Sequence, residues 1–169
     1  DLLIQPELAA TLKRIRSHGA AGFYKGPTAK QIVEEMKRRN RILRLADLEK
    51  YTAKERTATR FTYKGYEILG MPMPSSGGLL LEQMMKMIEK RNIGQMGFQS
   101  AEAVQLMVEA ERRAFADRGT YMGDADFAKV PVETLRSQAY LDQRMADYKP
   151  GVAGSSQVTK EGYEESEET

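Results

Sequence analysis

Apolar positions recur at helical spacing through the first third of the chain. Leu8, Leu12 and Ile15 fall on one face after Pro6-Glu7, and Gly19 fits the end of that helix. A second helix is predicted from Gly26-Pro27-Thr28, with Ile32, Val33 and Met36 as its buried stripe, and residues 46–51 read as a short third. The period then changes. Residues 57–63 (T-A-T-R-F-T-Y) are rich in β-formers, and Lys64-Gly65 can turn the chain into Tyr66-Glu67-Ile68-Leu69. Two strands alone are marginal, so this hairpin needs another sheet or helices to pack on.

Pro72 and Pro74 stop the second strand. Ser75 or Ser76 can cap the next helix by accepting from backbone N–H groups that otherwise lack partners, and Leu80, Met84, Met87 and Ile88 supply its apolar stripe. Ser100, with Glu102 in the first turn, caps a long helix over 101–118 whose apolar side is Val104, Met107, Val108 and Phe115. Pro131 starts a final helix running through Leu135 and Leu141. From Pro150 onward Gly, Ser, Lys and Glu leave almost nothing to bury, which predicts an extended or mobile tail. There is no internal repeat.

Composition narrows the class. A hydrophobic share of 41% beside 30% charged residues suits one soluble α+β domain with a real core. No run approaches the ~20 apolar residues of a membrane span. The absence of Cys excludes disulfide frameworks and thiolate metal sites but leaves the compartment open, and a lone His18 excludes a multi-His zinc centre. Neither a metal nor an organic cofactor is expected. The net charge of +2 hides a basic cluster at Lys37-Arg38-Arg39-Asn40-Arg41 and an acidic end at Glu161, Glu164, Glu165, Glu167 and Glu168. Glu34 and Glu35 stand beside the basic cluster and no aromatic interleaves it, so a solvated helix end is expected and nucleic-acid binding is not. Asp1-Leu2-Leu3 opens without Met or a signal peptide, as a processed or truncated piece would.

No complete catalytic constellation emerges residue by residue. Ser75-Ser76-Gly77-Gly78 lacks a nearby base, the G-x-S-x-G spacing and a Lys three residues on. Its glycines could bind an anion at a helix start, but a cap with close backbone packing is the favoured reading. Asp124-Ala125-Asp126 after Gly123 lacks the rest of a calcium loop and reads as a capped acidic turn. Glu109, Glu111, Arg112, Arg113, Asp117 and Arg118 alternate in sign along one helix, a pattern that usually marks surface ion pairing and sometimes braces a neighbouring subunit. Met84, Met85, Met87 and Met96 read as core filler.

Several stretches in order carry a family resemblance: Leu8-Ala9 with Leu12; Phe23-Tyr24-Lys25-Gly26; Ala46-Asp47-Leu48-Glu49-Lys50-Tyr51; Tyr66 to Pro72 running into Pro74-Ser75-Ser76-Gly77-Gly78; and Glu109-Ala110-Glu111-Arg112-Arg113-Ala114-Phe115-Ala116-Asp117-Arg118 with Tyr121-Met122-Gly123-Asp124. Together they resemble the γ-glutamyltransferases (γ-glutamyl transpeptidases, glutathione hydrolases), and specifically the C-terminal half of the large subunit. The resemblance implies an N-terminal-nucleophile hydrolase, a four-layer αββα sandwich to which this piece contributes helices and the hairpin at about 57–70. It implies a precursor that cuts itself into large and small subunits. The freed Thr opening the small subunit is then the nucleophile, with its own α-amine as base. The acyl group passes to water, an amino acid or a peptide.

By the same resemblance residues 1–149 belong to the large-subunit half and residues 150–169 are a flexible linker to the autoprocessing site. Thr169 is the candidate nucleophile and processing residue; the next residue is the alternative. The Pro74-Ser75-Ser76-Gly77-Gly78 block is not the nucleophile. The carboxylate-gripping Arg falls upstream and the oxyanion donors downstream, so the chain alone is expected to be inactive. Its partners would be the small subunit and the N-terminal half of the large subunit, with a γ-glutamyl compound such as glutathione as substrate. A periplasmic or extracellular location is implied. A non-catalytic helical packing module is the alternative. Two departures stand out: Arg39-Asn40 and Ile42-Leu43-Arg44 replace the family's Gly-Gly and Ile-Ile/Val-Thr, and Ala125 replaces Pro.

Overall fold

The structure, a computed structural model, describes residues 2–163. The chain divides into two compact units, 1–55 and 56–169.

The first unit is helical: α1 (Pro6–His18), α2 (Ala21–Tyr24), α3 (Gly26–Arg38) and α4 (Leu45–Lys50). Gly19 ends α1 with φ 57°, a conformation that glycine adopts without strain. The predicted stripe on α1 is not buried: Leu8 and Leu12 are exposed, and no residue of this helix is buried. The unit's core is instead Ala29, Val33 and Leu48, flanked by Tyr24, Ile32 and Leu43. Gly22 lets α2 press on α1, since a Cβ there would lie 2.3 Å from the Arg14 carbonyl oxygen. Thr28 Oγ1 donates to the Gly22 carbonyl (2.9 Å) and accepts from Arg14 Nε (2.9 Å), locking α3 to this corner.

The departure at Arg39-Asn40 keeps the turn. Asn40 takes φ 51°, the left-handed region that Asn tolerates best after Gly. Arg41 N donates to Met36 O (2.8 Å) and Asn40 N to Lys37 O (3.1 Å), the paired bonds of a Schellman end. Arg44 N donates to Asp47 Oδ2 (2.8 Å), so the next helix retains the backward half of a capping box without the family's Thr.

The second unit begins with the hairpin β1 (Thr59–Tyr63) and β2 (Tyr66–Gly70), in register Phe61↔Ile68. Lys64 and Gly65 both have positive φ (50° and 82°), as a two-residue type I′ turn demands. Phe61 is the hairpin's buried residue, and α5 (Gly77–Glu89) packs against both strands. Arg136 Nη2 donates to Arg60 O (2.8 Å) and Glu82 Oε1 (3.0 Å), tying β1 and α5 together through a fully buried carboxylate.

Helices α5, α6 (Ala101–Tyr121), α7 (Val132–Arg136) and α8 (Gln138–Arg144) enclose the main core. Leu79, Met87, Leu106, Ala110, Leu135, Tyr140, Leu141 and Met145 are its buried members. Each fully buried Leu contributes about 1.5–3 kcal/mol. Ser100 caps α6 as predicted, accepting from Ala103 N at 3.1 Å. The predicted apolar side of that helix is reversed, however: Val104, Met107, Val108 and Phe115 are exposed. Ala103, Leu106, Ala110 and Ala114 face inward, beside Glu109, Arg113 and Asp117. Small alanines bring α5 close, and the polar stripe finds partners that local periodicity does not reveal.

The single helix predicted through Leu135 and Leu141 is two. Ser137 is extended (φ −67°, ψ 139°) and caps α8 by accepting from Tyr140 N. The freed Leu135 carbonyl accepts from Gln83 Nε2 at 3.0 Å, so the break leaves no orphan there.

Candidate functional site

Two carboxylates on the inner face of α6 organise the end of the described chain. Asp117 and Glu109 lie two turns apart, so both point the same way. Asp117 Oδ2 accepts from the Tyr140 hydroxyl (2.8 Å) and Gln83 Nε2 (3.4 Å). Its Oδ1 accepts from Gly162 N (3.1 Å) and pairs with Arg144 Nη2 (3.1 Å). Burial raises the Asp117 pKa above the ordinary carboxylate value. The Arg144 charge and the bonds from Tyr140, Gly162 and Gln83 oppose that rise without cancelling it. Burial, then the neighbouring carboxylate, pushes the Tyr140 phenol well above its ordinary value.

Glu109 Oε2 accepts from Arg113 Nη1 (2.6 Å) and Oε1 from Gly154 N (2.8 Å). Burial acts to raise its pKa. The bonds from Arg113 and Gly154 and the nearby Arg112 and Arg113 charges prevail and hold it below the ordinary value. Arg113 also donates to Asp147 Oδ1 (2.6 Å) and to the Arg144 carbonyl (2.6 Å), linking α6 to the end of α8. Three of the alternating charges are thus buried, while Glu111 and Arg118 stay on the surface. Glu109, Arg113 and Asp117 are 3%, 5% and 0% exposed, and the two carboxylates read the backbone of another segment.

That segment is the stretch after Pro150. Over residues 151–163 it has neither helix nor strand, yet it runs alongside α6 in the same direction. Gly151 N donates to Gln105 Oε1, Gly154 N to Glu109, Arg112 to Ser156 Oγ, and Gly162 N to Asp117, at sequence separations of 46, 45, 44 and 45. The Tyr121 hydroxyl donates to the Tyr163 carbonyl, and the two rings meet edge-on at 5.3 Å. A helix advances 1.5 Å per residue and an extended chain more than 3 Å. The strap keeps pace because it folds back through a turn, with Thr159 N donating to Ser155 O. Its glycines are needed for close approach: a Cβ at Gly154 would sit 2.6 Å from Glu109 Oε2, and one at Gly162 2.3 Å from Arg144 Cδ. The sequence held this signal as glycines and buried-type carboxylates in equal spacing, which the apolar period masked. Thr169, the candidate nucleophile, lies outside the described residues.

The Ser75-Ser76 block resolves differently from either reading. Ser76 occupies the cap position of α5, but its side chain makes no capping bond; Ser76 Oγ accepts from Arg118 Nε (3.0 Å). The expected cap is therefore corrected: with φ −71° and ψ −14° Ser76 is already helical, and its hydroxyl is turned toward α6. Close backbone packing is present, because Gly78 meets Gly70 and Met71. His18 ends α1 with Nδ1 against Arg14 O (3.2 Å). Asp124 Oδ1 accepts from Asp126 N (3.0 Å), and Asp126 pairs with Arg56 (2.6 Å), so these acids form the capped turn. Among the described residues no group of three or more His, Asp or Glu side chains is placed to hold a metal. Among them, too, no helix is long and apolar enough to cross a membrane.

Comparison with known proteins bears on this arrangement. The family described as Gamma-glutamyltranspeptidase matches residues 1–169. The chain is 44% identical over 140 residues to the glutathione hydrolase proenzyme of Escherichia coli K12, covering 83% of this chain and 24% of that protein. It is 41% identical over 144 residues to the Acylase ACY 1 proenzyme of Pseudomonas sp. V22, covering 85% and 26%. The chain thus spans about a quarter of the length of these curated relatives. The crystal structure of Helicobacter pylori gamma-glutamyltranspeptidase superposes with a TM-score of 0.88 at 38% identity, covering 96% of this chain and 46% of that one. With a match across its whole length, the chain belongs to the gamma-glutamyltranspeptidase family.

Proposed function

We propose that this chain is the C-terminal half of the large-subunit region of a γ-glutamyltransferase whose parent cleaves γ-glutamyl amides such as glutathione. The observation that carries this reading is the family match over residues 1–169. In this reading the helices and hairpin take their place in an αββα sandwich completed by the small subunit and the N-terminal half of the large subunit. Residues 150–169 lead to the processing site.

The chemistry centres on Thr169. In the precursor its hydroxyl adds to the carbonyl of Glu168, the peptide nitrogen leaves as the Thr169 amine, and water hydrolyses the resulting ester. The products are a Glu168 carboxylate and a Thr169 with free amine and free hydroxyl. That amine then serves as base while the hydroxyl attacks the γ-glutamyl amide, and the acyl-enzyme passes its group to water, an amino acid or a peptide. In the 169-residue chain alone the Thr169 amine is locked in a peptide bond, so the chain by itself transfers nothing and acts as a packing module. A periplasmic or extracellular location accompanies the resemblance.

The test is a chromogenic γ-glutamyl anilide assay on the full-length protein. Release of the aniline, accelerated by an amino-acid or dipeptide acceptor, supports the reading; no release from a folded, processed protein contradicts it. The 41% identity to an acylase proenzyme favours a second reading, hydrolysis of another acyl amide, which would leave the anilide intact and cleave acyl side chains instead.

A further inference from the structure

Residues 151–158 are exposed at every position, Val152 and Val158 included, although they lie over the buried Glu109 and Arg113 of α6. We infer that residues 152–160 form a flap: the segment swings off α6 while both its ends stay fixed and the helical core stays folded, and the Glu109–Gly154 bond is its latch.

The flap is held by polar contacts. Glu109 Oε1 accepts from Gly154 N (2.8 Å), Arg112 donates to Ser156 Oγ, and Gln105 Nε2 donates to the Val152 carbonyl (2.8 Å). The bonds from Val158 N and Thr159 N to Ser155 O lie within the segment and travel with it. Cavities of about 240 and 130 Å³ lie between the segment and the Arg113–Asp147 pair. Exposed backbone, little buried apolar surface and loose packing are the conditions for local opening well below the free energy of global unfolding. The closed position also buries Arg112 Nε and Tyr148 Oη without a hydrogen-bond partner among the described residues. Such burial is unfavourable, and opening to water relieves it.

The ends do not share this looseness. Tyr148 packs against the main core with the Arg91 guanidinium 4.8 Å above its ring. Gly151, at φ 75°, is a glycine hinge just before the segment. Beyond it, Gly162 N stays bound to the buried Asp117 and the Tyr163 ring stays against Tyr121. Opening hydrates Glu109 yet leaves Arg113 its bonds to Asp147 and the Arg144 carbonyl, so α6 and α8 remain joined.

Hydrogen exchange of the full-length protein, read at single amides by mass spectrometry, tests the flap. In the wild type the amide at position 154 should be protected, but at least about ten-fold less than those of residues 106–114 in α6. A Cβ at Gly154 would lie 2.6 Å from Glu109 Oε2, which Arg113 holds in place. Gly154→Ala should therefore speed exchange at position 154 about ten-fold or more, the worth of one hydrogen bond to a charged group. The Gly162 amide and the α6 amides should keep their wild-type rates. Glu109→Gln keeps an oxygen for Gly154 N without the charge and should give a smaller rise, about five-fold. If Glu109→Gln fails to fold, Gly154→Ala carries the test because it alters only the segment. Exchange at position 154 in step with α6, or at the rate of an unprotected amide, overturns the flap. So does a Gly154→Ala variant in which Gly162 or α6 speeds up equally.

Discussion

Gly70 and Gly78 touch backbone to backbone: a Cβ on Gly70 would fall 2.7 Å from the Gly78 Cα, and a Cβ on Gly78 would fall 2.3 Å from the Met71 carbonyl oxygen. The end of β2 therefore lies directly on the first turn of α5. This contact explains why the block after Pro74 carries glycine, and it separates two neighbours that look equivalent. Gly77 has only Ser75 Oγ near it, at 3.6 Å. In the full-length protein Gly78→Ala should cost about 1–3 kcal/mol by overpacking, while Gly77→Ala should be neutral or slightly stabilising in a helix. Thermal melts of the two variants check this; equal Tm losses would contradict it.

The serines divide similarly. Ser100 accepts from Ala103 N and is a true cap, whereas Ser76 accepts only from the exposed Arg118 side chain. Ser100→Ala should cost about 0.5–2 kcal/mol, and Ser76→Ala less than about 1 kcal/mol, as for an exposed side-chain bond. Denaturant midpoints measure both. Ser76→Ala should also leave turnover of the mature enzyme measurable, and loss of all turnover with an unchanged midpoint would make Ser76 part of the chemistry.

Acid should test the two carboxylates in opposite directions. Glu109, held low by Arg113 and Gly154 against the effect of burial, contributes stability above its unfolded pKa that is lost as pH falls through its folded one. Asp147, lowered chiefly by its bond from Arg113, acts the same way but weakly, being 81% exposed. Asp117, raised chiefly by burial, has the reverse sign: its contribution is present below the unfolded pKa and lost as pH rises through the folded one. Glu109→Gln should therefore flatten the fall in Tm on acidification below about pH 5, and Asp117→Asn should steepen it. Melting curves from neutral pH to about pH 3 decide the signs.

Elements fixed by local chemistry were legible in the sequence. Lys64-Gly65 announced the hairpin turn, Ser100 the start of α6, and Gly19 the end of α1. What depends on distant partners was not. Val104, Met107, Val108 and Phe115 have helical spacing and are exposed, while Glu109, Arg113 and Asp117 are buried because Gly154, Asp147, Arg144, Tyr140 and Gly162 supply their hydrogen bonds. The break at Ser137 was hidden for the same reason, since Gln83 satisfies Leu135 from another helix. Ser75-Ser76 signalled a helix start correctly, but Arg118 lies 42 residues away and redirects the hydroxyl.

We propose that self-cleavage of the precursor frees Thr169 as the nucleophile. Mass spectrometry of the small subunit from the matured full-length protein tests it most directly. A small subunit beginning at Thr169, together with an uncleaved precursor in Thr169→Ala, is the predicted result. A small subunit beginning at the following residue, or cleavage that survives Thr169→Ala, would contradict it.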